Sequence, residues 1–282
     1  MNEMLFAELQ KYNCWFTFSM FEELPNVTHT QIVESDEIWK NEMHVQRHIF
    51  AMIFGSYGYN RNLSKAKSVC GLKIIQLEER EPSNKSLDNI EFTKWLNLFA
   101  QYCILYGTIL AYQGDYIRSA RYLMNGLRTG AISLFMPYCD FIRYILSRLE
   151  LMPAELADYK GCGFSVDNPM GGIELNGGNL MANAAEMVIP ALESEKGGVI
   201  LAYNGRNKYG NLKRLGSRNS NNFRNCIDIY EVLMIDNSNR LKKLRLYFNG
   251  YFTRENRNQI RLPDGFNVDF CNPTAKYYKF IQ

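Results

Sequence analysis

The chain has 282 residues, which is enough for one large or two ordinary domains, and 46% of them are apolar and 22% charged. This composition is that of a globular protein and excludes an intrinsically disordered chain. The formal net charge of +3 conceals an asymmetry, because residues 196–282 carry 16 Lys and Arg against 6 Asp and Glu, a net of +10, and the preceding residues carry a net of −7.

The first 150 residues have the apolar spacing of helices. Ser35 is a suitable N-cap, and the residues that follow it predict a helix from Asp36 to Ser56. A second helix is predicted for 63–77. Asp88, followed by Glu91 as its capping-box partner, predicts the start of a third helix, which ends at Gly114 because glycine readily adopts a left-handed conformation. Two further helices are predicted for 115–129 and 132–150.

The third predicted helix contains an uncharged run from Trp95 to Gly114. Its length is about that of a membrane-spanning helix. Polar residues such as Gln101 and Thr108 interrupt the run, and tyrosines lie in its middle rather than at two interfaces. We therefore expect a helix that is buried on most sides in a helical domain, and no association with a membrane.

Small and bulky residues alternate across the third and fourth predicted helices. The small ones are Gly107, Ser119 and Gly126, and Gly114-Asp115-Tyr116 stands at the turn between the helices. Small side chains let two helices approach closely, and large apolar ones fill the adjoining space. We interpret the small residues as the helix crossing, with bulky core residues at Tyr106, Leu110 and Leu123.

This hairpin resembles a tetratricopeptide repeat over about 34 residues. It differs from the family pattern at Cys103, where an aromatic residue is usual, and at Ala131, where a proline is usual. Residues 36–78 form a second, degenerate hairpin with Ala66 and Cys70 as its small residues. The resemblance implies an array of helical hairpins with a concave surface that binds a peptide or a partner protein and performs no catalysis. The alternative is that the hairpins only pack against the C-terminal domain.

Glycines mark the expected domain boundary. Residues 159–180 contain six of the 20 glycines of the chain. That density costs too much backbone entropy for a regular helix, so the segment is predicted to be a linker. The chain is then expected to have a helical-hairpin domain at 1–158, a glycine-rich linker at 159–180, and a basic α+β domain at 181–282.

The C-terminal domain changes from helical to strand-like spacing. A helix is predicted for 179–192, and strands are predicted for 199–203, 227–235 and 241–252. Residues 236–239 have the composition of a hairpin turn. Within the last strand, apolar and polar residues alternate, as in a sheet that is covered on one side. The fold class is therefore α+β: a tetratricopeptide-like helical-hairpin domain followed by a small α+β domain with an antiparallel sheet.

The densest positive charge lies in residues 204–225, which contain no acidic residue. Glycine and asparagine predict a loop there. Its cations and rings are able to bind phosphates and bases, and its charge also suits an acidic protein partner, including the acidic N-terminal half itself. A solvated surface loop is the third interpretation. The candidate binding residues are Arg206, Lys208, Tyr209, Lys213, Arg214, Arg218 and Arg224.

The sequence lacks the motifs of several kinds of catalytic and metal-binding site. His44 and His48 share a helix face, but the HExxH motif is absent, so we favour a partly buried pair and expect no metal site. No histidine follows His48, which removes Ser-His and Cys-His systems from the C-terminal domain. Asp228, Glu231 and Glu255 are interpreted as exposed strand charges. The motifs GxSxG and GxxxxGK[ST] are also absent.

The cysteine pattern favours a cytoplasmic protein. Seven cysteines occur at wide spacings without a CxxC motif, and the first residues do not resemble a signal peptide. We expect a non-catalytic binding protein without a cofactor, an adaptor, chaperone or immunity-type protein that engages an acidic protein partner. The alternatives are a protein that binds nucleic acid or phosphate through 206–224, and an enzyme with its site between the domains.

Overall fold

A computed structural model describes residues 42–55, 60–86, 88–128, 138–173, 179–180, 184–202, 212–256, 258–268 and 278–282. The chain divides into two compact units, Met1–Ile145 and Leu146–Gln282. The division falls earlier than the predicted boundary. The segment predicted as a linker belongs, in its described part, to the second unit.

The first unit is helical, as expected. The helices are α1 (Glu42–Phe54), α2 (Leu63–Glu78), α3 (Ile90–Tyr112), α4 (Tyr116–Arg128) and α5 (Tyr138–Glu150), and the division between the units falls within α5. The bounds of α2 and α4 are close to those predicted from the sequence. The predicted N-cap Ser35 and the predicted beginnings of the first and fifth helices lie outside the described residues.

The cap of α3 differs from the prediction by one residue. Asn89, rather than Asp88, is the N-cap, and its side-chain oxygen accepts hydrogen bonds from the backbone N–H of Glu91 (2.9 Å) and of Phe92 (3.4 Å). These N–H groups have no partner within the helix, so the cap satisfies them. At the other end Gly114 has a φ of +82°, as the sequence predicted.

Helices α3 and α4 cross at the small residues. A Cβ on Gly107 would lie 2.7 Å from Leu123 Cγ, and one on Gly126 would lie 2.5 Å from Ile104 Cγ1. The Ser119 hydroxyl donates to the carbonyl oxygen of Gly107 at 2.7 Å and is buried. The close approach predicted for this hairpin is therefore present. Among the described residues, no helix is long and apolar enough to cross a membrane.

Helix α2 packs on the other side of α3. The indole N–H of Trp95 donates to the carbonyl oxygen of Leu77 at 2.7 Å, and its ring stacks on Phe99 with the centroids 5.0 Å apart. The thiols of Cys70 and Cys103 are buried between these helices, and burial raises the pKa of both well above the ordinary value. Deep burial keeps both cysteines in their thiol form.

The second unit is built on a sheet. Its strands are β1 (Glu155–Leu156), β2 (Met170–Gly171), β3 (Asn179–Leu180), β4 (Leu192–Ser194), β5 (Val199–Ile200), β6 (Lys213–Arg218), β7 (Ile227–Ile235), β8 (Leu241–Asn249), β9 (Tyr251–Phe252), β10 (Gln259–Arg261), β11 (Phe266–Val268) and β12 (Lys279–Ile281). Helix α6 (Ala184–Val188) continues into a 3-10 turn, Ile189–Ala191.

The main sheet is mixed. In the described residues its order is β11-β4-β5-β7-β8-β2-β10-β12, with β1 beside β8 and β6 beside β7. The α+β class is as expected, but the purely antiparallel sheet is not, because β8 pairs in parallel with β1 and β2, and β10 pairs in parallel with β12. Strand β2 lies in the glycine-rich segment and β1 shortly before it, and the sequence placed both outside the sheet.

Close backbone contacts explain the glycines of that segment. A Cβ on Gly171 would overlap the carbonyl oxygen of Asn249, and one on Gly172 would overlap that of Tyr251. The buried Asn249 side chain donates to the carbonyl oxygen of Gly172 at 2.8 Å. Where backbones meet this closely only glycine fits, so these glycines serve packing in the sheet rather than flexibility.

Two other element predictions need correction. The helix predicted for 179–192 is described only as α6 and its 3-10 turn, because Pro190 lacks the N–H needed to continue a helix and 179–180 form β3, paired with β9. The strand predicted for 241–252 divides into β8 and β9. The turn at 236–239 is as predicted, with the Asp236 carboxylate accepting from the backbone N–H of Ser238 and of Arg240 at 2.9 Å each.

The core of the second unit lies on one face of the hairpin formed by β7 and β8. Cross-strand partners Val232 and Leu244 belong to one buried cluster with Phe248, and α6 adds Ala184 and Val188 to it. The apolar alternation predicted for β8 therefore marks the covered face. On the opposite face, β8 carries Lys243 and Arg245, whereas β7 carries Glu231 between the buried side chains of Ile229 and Leu233.

Candidate binding surface

The seven candidate residues separate into three groups. Arg206, Lys208 and Tyr209 lie outside the described residues. Lys213, Arg214 and Arg218 lie on β6, and Arg224 lies in the loop after it. The predicted loop is therefore a strand over 213–218, because hydrogen-bonded pairing with β7 overrides a composition rich in glycine and asparagine.

Strand β6 is antiparallel to β7 and contains an irregularity. Lys213 and Arg214 lie opposite Glu231 and Tyr230, and the register then shifts between Arg214 and Gly216. Gly216 has a φ of +139°, which a residue with a side chain rarely adopts. The extra residue at this bulge is Leu215, whose side chain is 41% exposed.

One face of β6 carries a fixed arginine. Arg214 Nη2 donates to Asp228 Oδ1 at 2.8 Å and to Ser217 Oγ at 2.7 Å, and the Ser217 hydroxyl donates to the same carboxylate oxygen at 2.7 Å. The hydrogen bond that Arg214 donates to Asp228 and the negative charge of that carboxylate raise the pKa of Arg214. Asp228 therefore holds the guanidinium in one position and offsets part of its charge.

A second group of charges crosses three strands on the other face. The register places Lys213 opposite Glu231, and Glu231 opposite Arg245. Arg245 Nη2 donates to Glu231 Oε2 at 3.0 Å. The Glu231 carboxylate therefore pairs with Arg245, and Lys213 is its neighbour on the next strand. The surface is positive overall, but its cations alternate with carboxylates and do not form an unbroken positive patch.

The loop after β6 is attached to the unit by Asp167. The Asp167 carboxylate accepts hydrogen bonds from the backbone N–H of Asn221 (2.7 Å), the Ser220 hydroxyl (3.0 Å) and the Asn221 side chain (3.1 Å). The Asn222 side chain donates to the backbone carbonyl of Asp167 at 2.7 Å. These bonds lower the pKa of Asp167, the backbone N–H of Asn221 most strongly. Arg224 is thus exposed on an anchored loop.

One edge of β6 has no strand beside it in the described part of the chain. Strand β7 pairs with β8 along one edge, and with both β5 and β6 along the other. Within the described residues, β6 pairs with β7 alone. Its outer N–H and C=O groups therefore face away from the sheet, between exposed side chains at Lys213, Arg214, Ser217 and Arg218. We call β6 and residues 219–226 the basic edge.

The sequence did not predict that the carboxylates of this surface pair with its cations. Asp228 and Glu231 were interpreted as exposed strand charges, and each is bound to an arginine. The turn at 236–239 carried the missing signal for one pair, because a tight hairpin places Glu231 directly opposite Arg245. Asp167 lies 54 residues from Asn221, too far along the chain for any local pattern to indicate.

In the described ranges, no group of three or more His, Cys, Asp and Glu side chains is placed to hold a metal ion. His48 is buried in α1, and the side chain of His44 lies outside the described part. Comparisons of the chain with family models, with curated proteins and with solved structures found no match. The tetratricopeptide resemblance therefore stays a prediction, and function is argued from the basic edge.

Proposed function

We propose that the chain is a non-catalytic binding protein whose second unit engages an acidic segment of another protein through the basic edge. The observation that carries the proposal is an exposed edge strand with cations on both of its faces and an anchored cationic loop beside it. Lys213, Arg214, Arg218 and Arg224 are the binding residues among the described ones. An adaptor, chaperone or immunity-type role fits such a surface.

The four cations contribute unequally to this proposal. Arg214 forms an ion pair with Asp228, so part of its charge is already offset, whereas Lys213 lies opposite a carboxylate, Glu231, that is paired with Arg245. No carboxylate in the described part of the chain forms an ion pair with Arg218 or Arg224. An exposed ion pair contributes about 0.2–1 kcal/mol, so a few such pairs give weak, salt-sensitive binding that is steered by charge.

A protein partner accounts for the surface better than nucleic acid does. Binding of single strands depends on aromatic rings that stack on bases. Phe223 is half-buried, and its N–H lies 3.3 Å from the Ser220 hydroxyl within the anchored loop, whereas Tyr209 lies outside the described residues.

The helical hairpins supply a second proposed surface for a protein partner. Leu72 and Ile75 lie three residues apart on α2 and are 57% and 53% exposed. Neighbouring exposed apolar side chains on one helix face are typical of protein contacts. The test is to change both residues to serine and measure binding of the natural partner; unchanged affinity would remove the helices from the proposal.

The basic edge is tested by binding of two labelled probes to the full chain over a range of salt concentrations. One probe is a glutamate-rich peptide, and the other is a mixed single-stranded oligonucleotide of equal charge. We expect the peptide to bind and the double variant Arg218→Glu/Arg224→Glu to lose that binding. The matched control is Arg80→Glu/Lys94→Glu, which reverses two exposed cations of the first unit and is expected to bind like the unmodified chain.

Three results would contradict the proposal. The first is absence of peptide binding at low salt, and the second is an equal loss in the control variant. The third is preference for the oligonucleotide with a steep dependence on salt, which supports the nucleic-acid alternative instead.

A further inference from the structure

The edge of β6 that has no neighbouring strand in the described residues indicates how an acidic segment binds. We propose that the segment adds to β6 as an extended strand, so that main-chain hydrogen bonds hold it and its carboxylates meet the flanking cations. This inference rests on the proposed function, since it names the binding mode of the same surface. It goes further in requiring an extended partner and a defined edge.

The backbone of β6 offers the necessary groups. Lys213–Arg218 is a six-residue strand, and in the described residues one of its edges is occupied by β7 and the other by no strand. An unpaired strand edge presents N–H and C=O groups in the order that another extended chain complements. Nucleic acid has no such main-chain pattern, so this edge favours a polypeptide.

The edge is formed before a partner arrives. Pairing with β7 runs from Arg218 to Lys213, and the ion pair of Arg214 with Asp228 joins the two strands through their side chains. The Asp167 hydrogen bonds attach the residues that follow β6. A preformed surface spares the entropy cost of ordering itself, which leaves only the partner to be ordered.

Charge decides which strand is accepted. If a second copy of the chain paired with this edge, the cations of one β6 would stand next to those of the other. Like charges placed opposite each other in a sheet are destabilising, and opposite charges are stabilising. Lys213, Arg214 and Arg218 therefore oppose pairing between copies and favour a segment rich in Asp and Glu.

The bulge defines the side-chain preference and the length of the contact. Leu215 is the only apolar residue of β6 with a side chain, and it is exposed between two cationic positions. Because a bulge bends its strand, a straight partner follows the edge for only a few residues. We therefore infer a short segment in which acidic residues flank one apolar residue.

The test uses the full chain and a short peptide of alternating glutamate and valine. Hydrogen exchange of the β6 amides is measured with and without the peptide. Two further peptides carry N-methyl groups on alternate residues, one set for each edge of the peptide strand. Strand addition predicts slower exchange at the free edge of β6, and a loss of affinity of about tenfold or more for only one methylated peptide, since several main-chain hydrogen bonds are lost together.

The possible outcomes separate the two proposals. If the peptide binds but hydrogen exchange of the β6 amides is unchanged and both methylated peptides bind with equal affinity, strand addition is overturned and the proposed function stays intact. Absence of binding by the unmodified peptide overturns both. Self-association of the chain that protects the β6 amides overturns the choice of an acidic partner, and sedimentation at several concentrations detects it. Arg218→Glu is expected to weaken binding of the peptide, whereas the control Arg80→Glu is expected to leave that binding unchanged.

Discussion

Replacing Gly126 with alanine adds one methyl group that has two opposing effects on the stability of the first unit. In a helix interior, alanine is favoured over glycine by about 1 kcal/mol. At Gly126 the new Cβ would lie 2.5 Å from Ile104 Cγ1 and 3.0 Å from the carbonyl oxygen of Ala100. The backbone oxygen has little freedom to move, so α3 and α4 must separate or Ile104 must leave its preferred rotamer.

The overlap outweighs the helix propensity. Forcing an extra methyl group into a packed core costs about 1–3 kcal/mol, and the helix propensity of alanine returns about 1 kcal/mol, so we expect Gly126→Ala to reduce the free energy of unfolding by up to about 2 kcal/mol. Gly71→Ala is the matched control. Its Cβ would lie 3.4 Å from the Tyr106 ring, an ordinary contact, so that variant is expected to gain up to about 1 kcal/mol.

Urea unfolding followed by tryptophan fluorescence measures both variants. The last of the three tryptophans of the chain, Trp95, lies in α3 and stacks on Phe99, and residues 146–282 contain no tryptophan. The fluorescence of Trp95 therefore reports the unfolding of the helices rather than of the sheet. If Gly126→Ala stabilises the first unit as much as Gly71→Ala does, the explanation of the small residues as a tight helix crossing is refuted.

Three further predictions concern single side chains. Asn249→Ala is expected to reduce the free energy of unfolding by about 1–3 kcal/mol, because the buried carbonyl oxygen of Gly172 loses its hydrogen-bond donor. Urea unfolding followed by circular dichroism measures this loss. Replacing the exposed Asn267 with alanine is expected to leave the free energy of unfolding nearly unchanged. The pKa of Asp167 is lowered from 3.8, so its carboxylate stabilises the folded loop above pH 3.8, and this stabilisation is lost as the pH falls through the lower pKa of the folded state. The rate of amide exchange at Asn221 is therefore expected to rise in that pH range. In the variant Asp167→Asn this rise is expected to be absent. Iodoacetamide is expected to modify the exposed Cys226 before the buried Cys70 and Cys103, and peptide mapping that finds the reverse order would contradict the burial described for them.

Local patterns predicted the elements that depend on local contacts. Apolar spacing placed α2 and α4 near their observed bounds, because a helix is stabilised by residues three and four apart. The hairpin of β7 and β8 followed from two predicted strands on either side of the turn at 236–239. The glycine-rich segment was mistaken for a linker because its glycines serve contacts with Asn249 and Tyr251, which lie far along the chain.

The candidate site was predicted in composition but not in form. Lys213, Arg214 and Arg218 are exposed, but they lie on a strand rather than in the predicted loop, and that strand depends on pairing with β7. Arg214 meets Asp228 across 14 residues of sequence, and no spacing rule indicates that contact. The charge count therefore indicated these cations as candidates, and the pairing of the strands determines which of them form ion pairs with carboxylates.

The mixed sheet also fixes an order of events during folding. Helices α3 and α4 are joined through residues 113–115 and meet as soon as both have formed. Strand β2, by contrast, pairs with β8 and β10, so residues 170–171 must wait for 248–249 and for 261. Folding slows as contacting residues become more distant along the chain. During synthesis at a ribosome, the helical unit is thus expected to be assembled while the strands that complete the sheet are still being made.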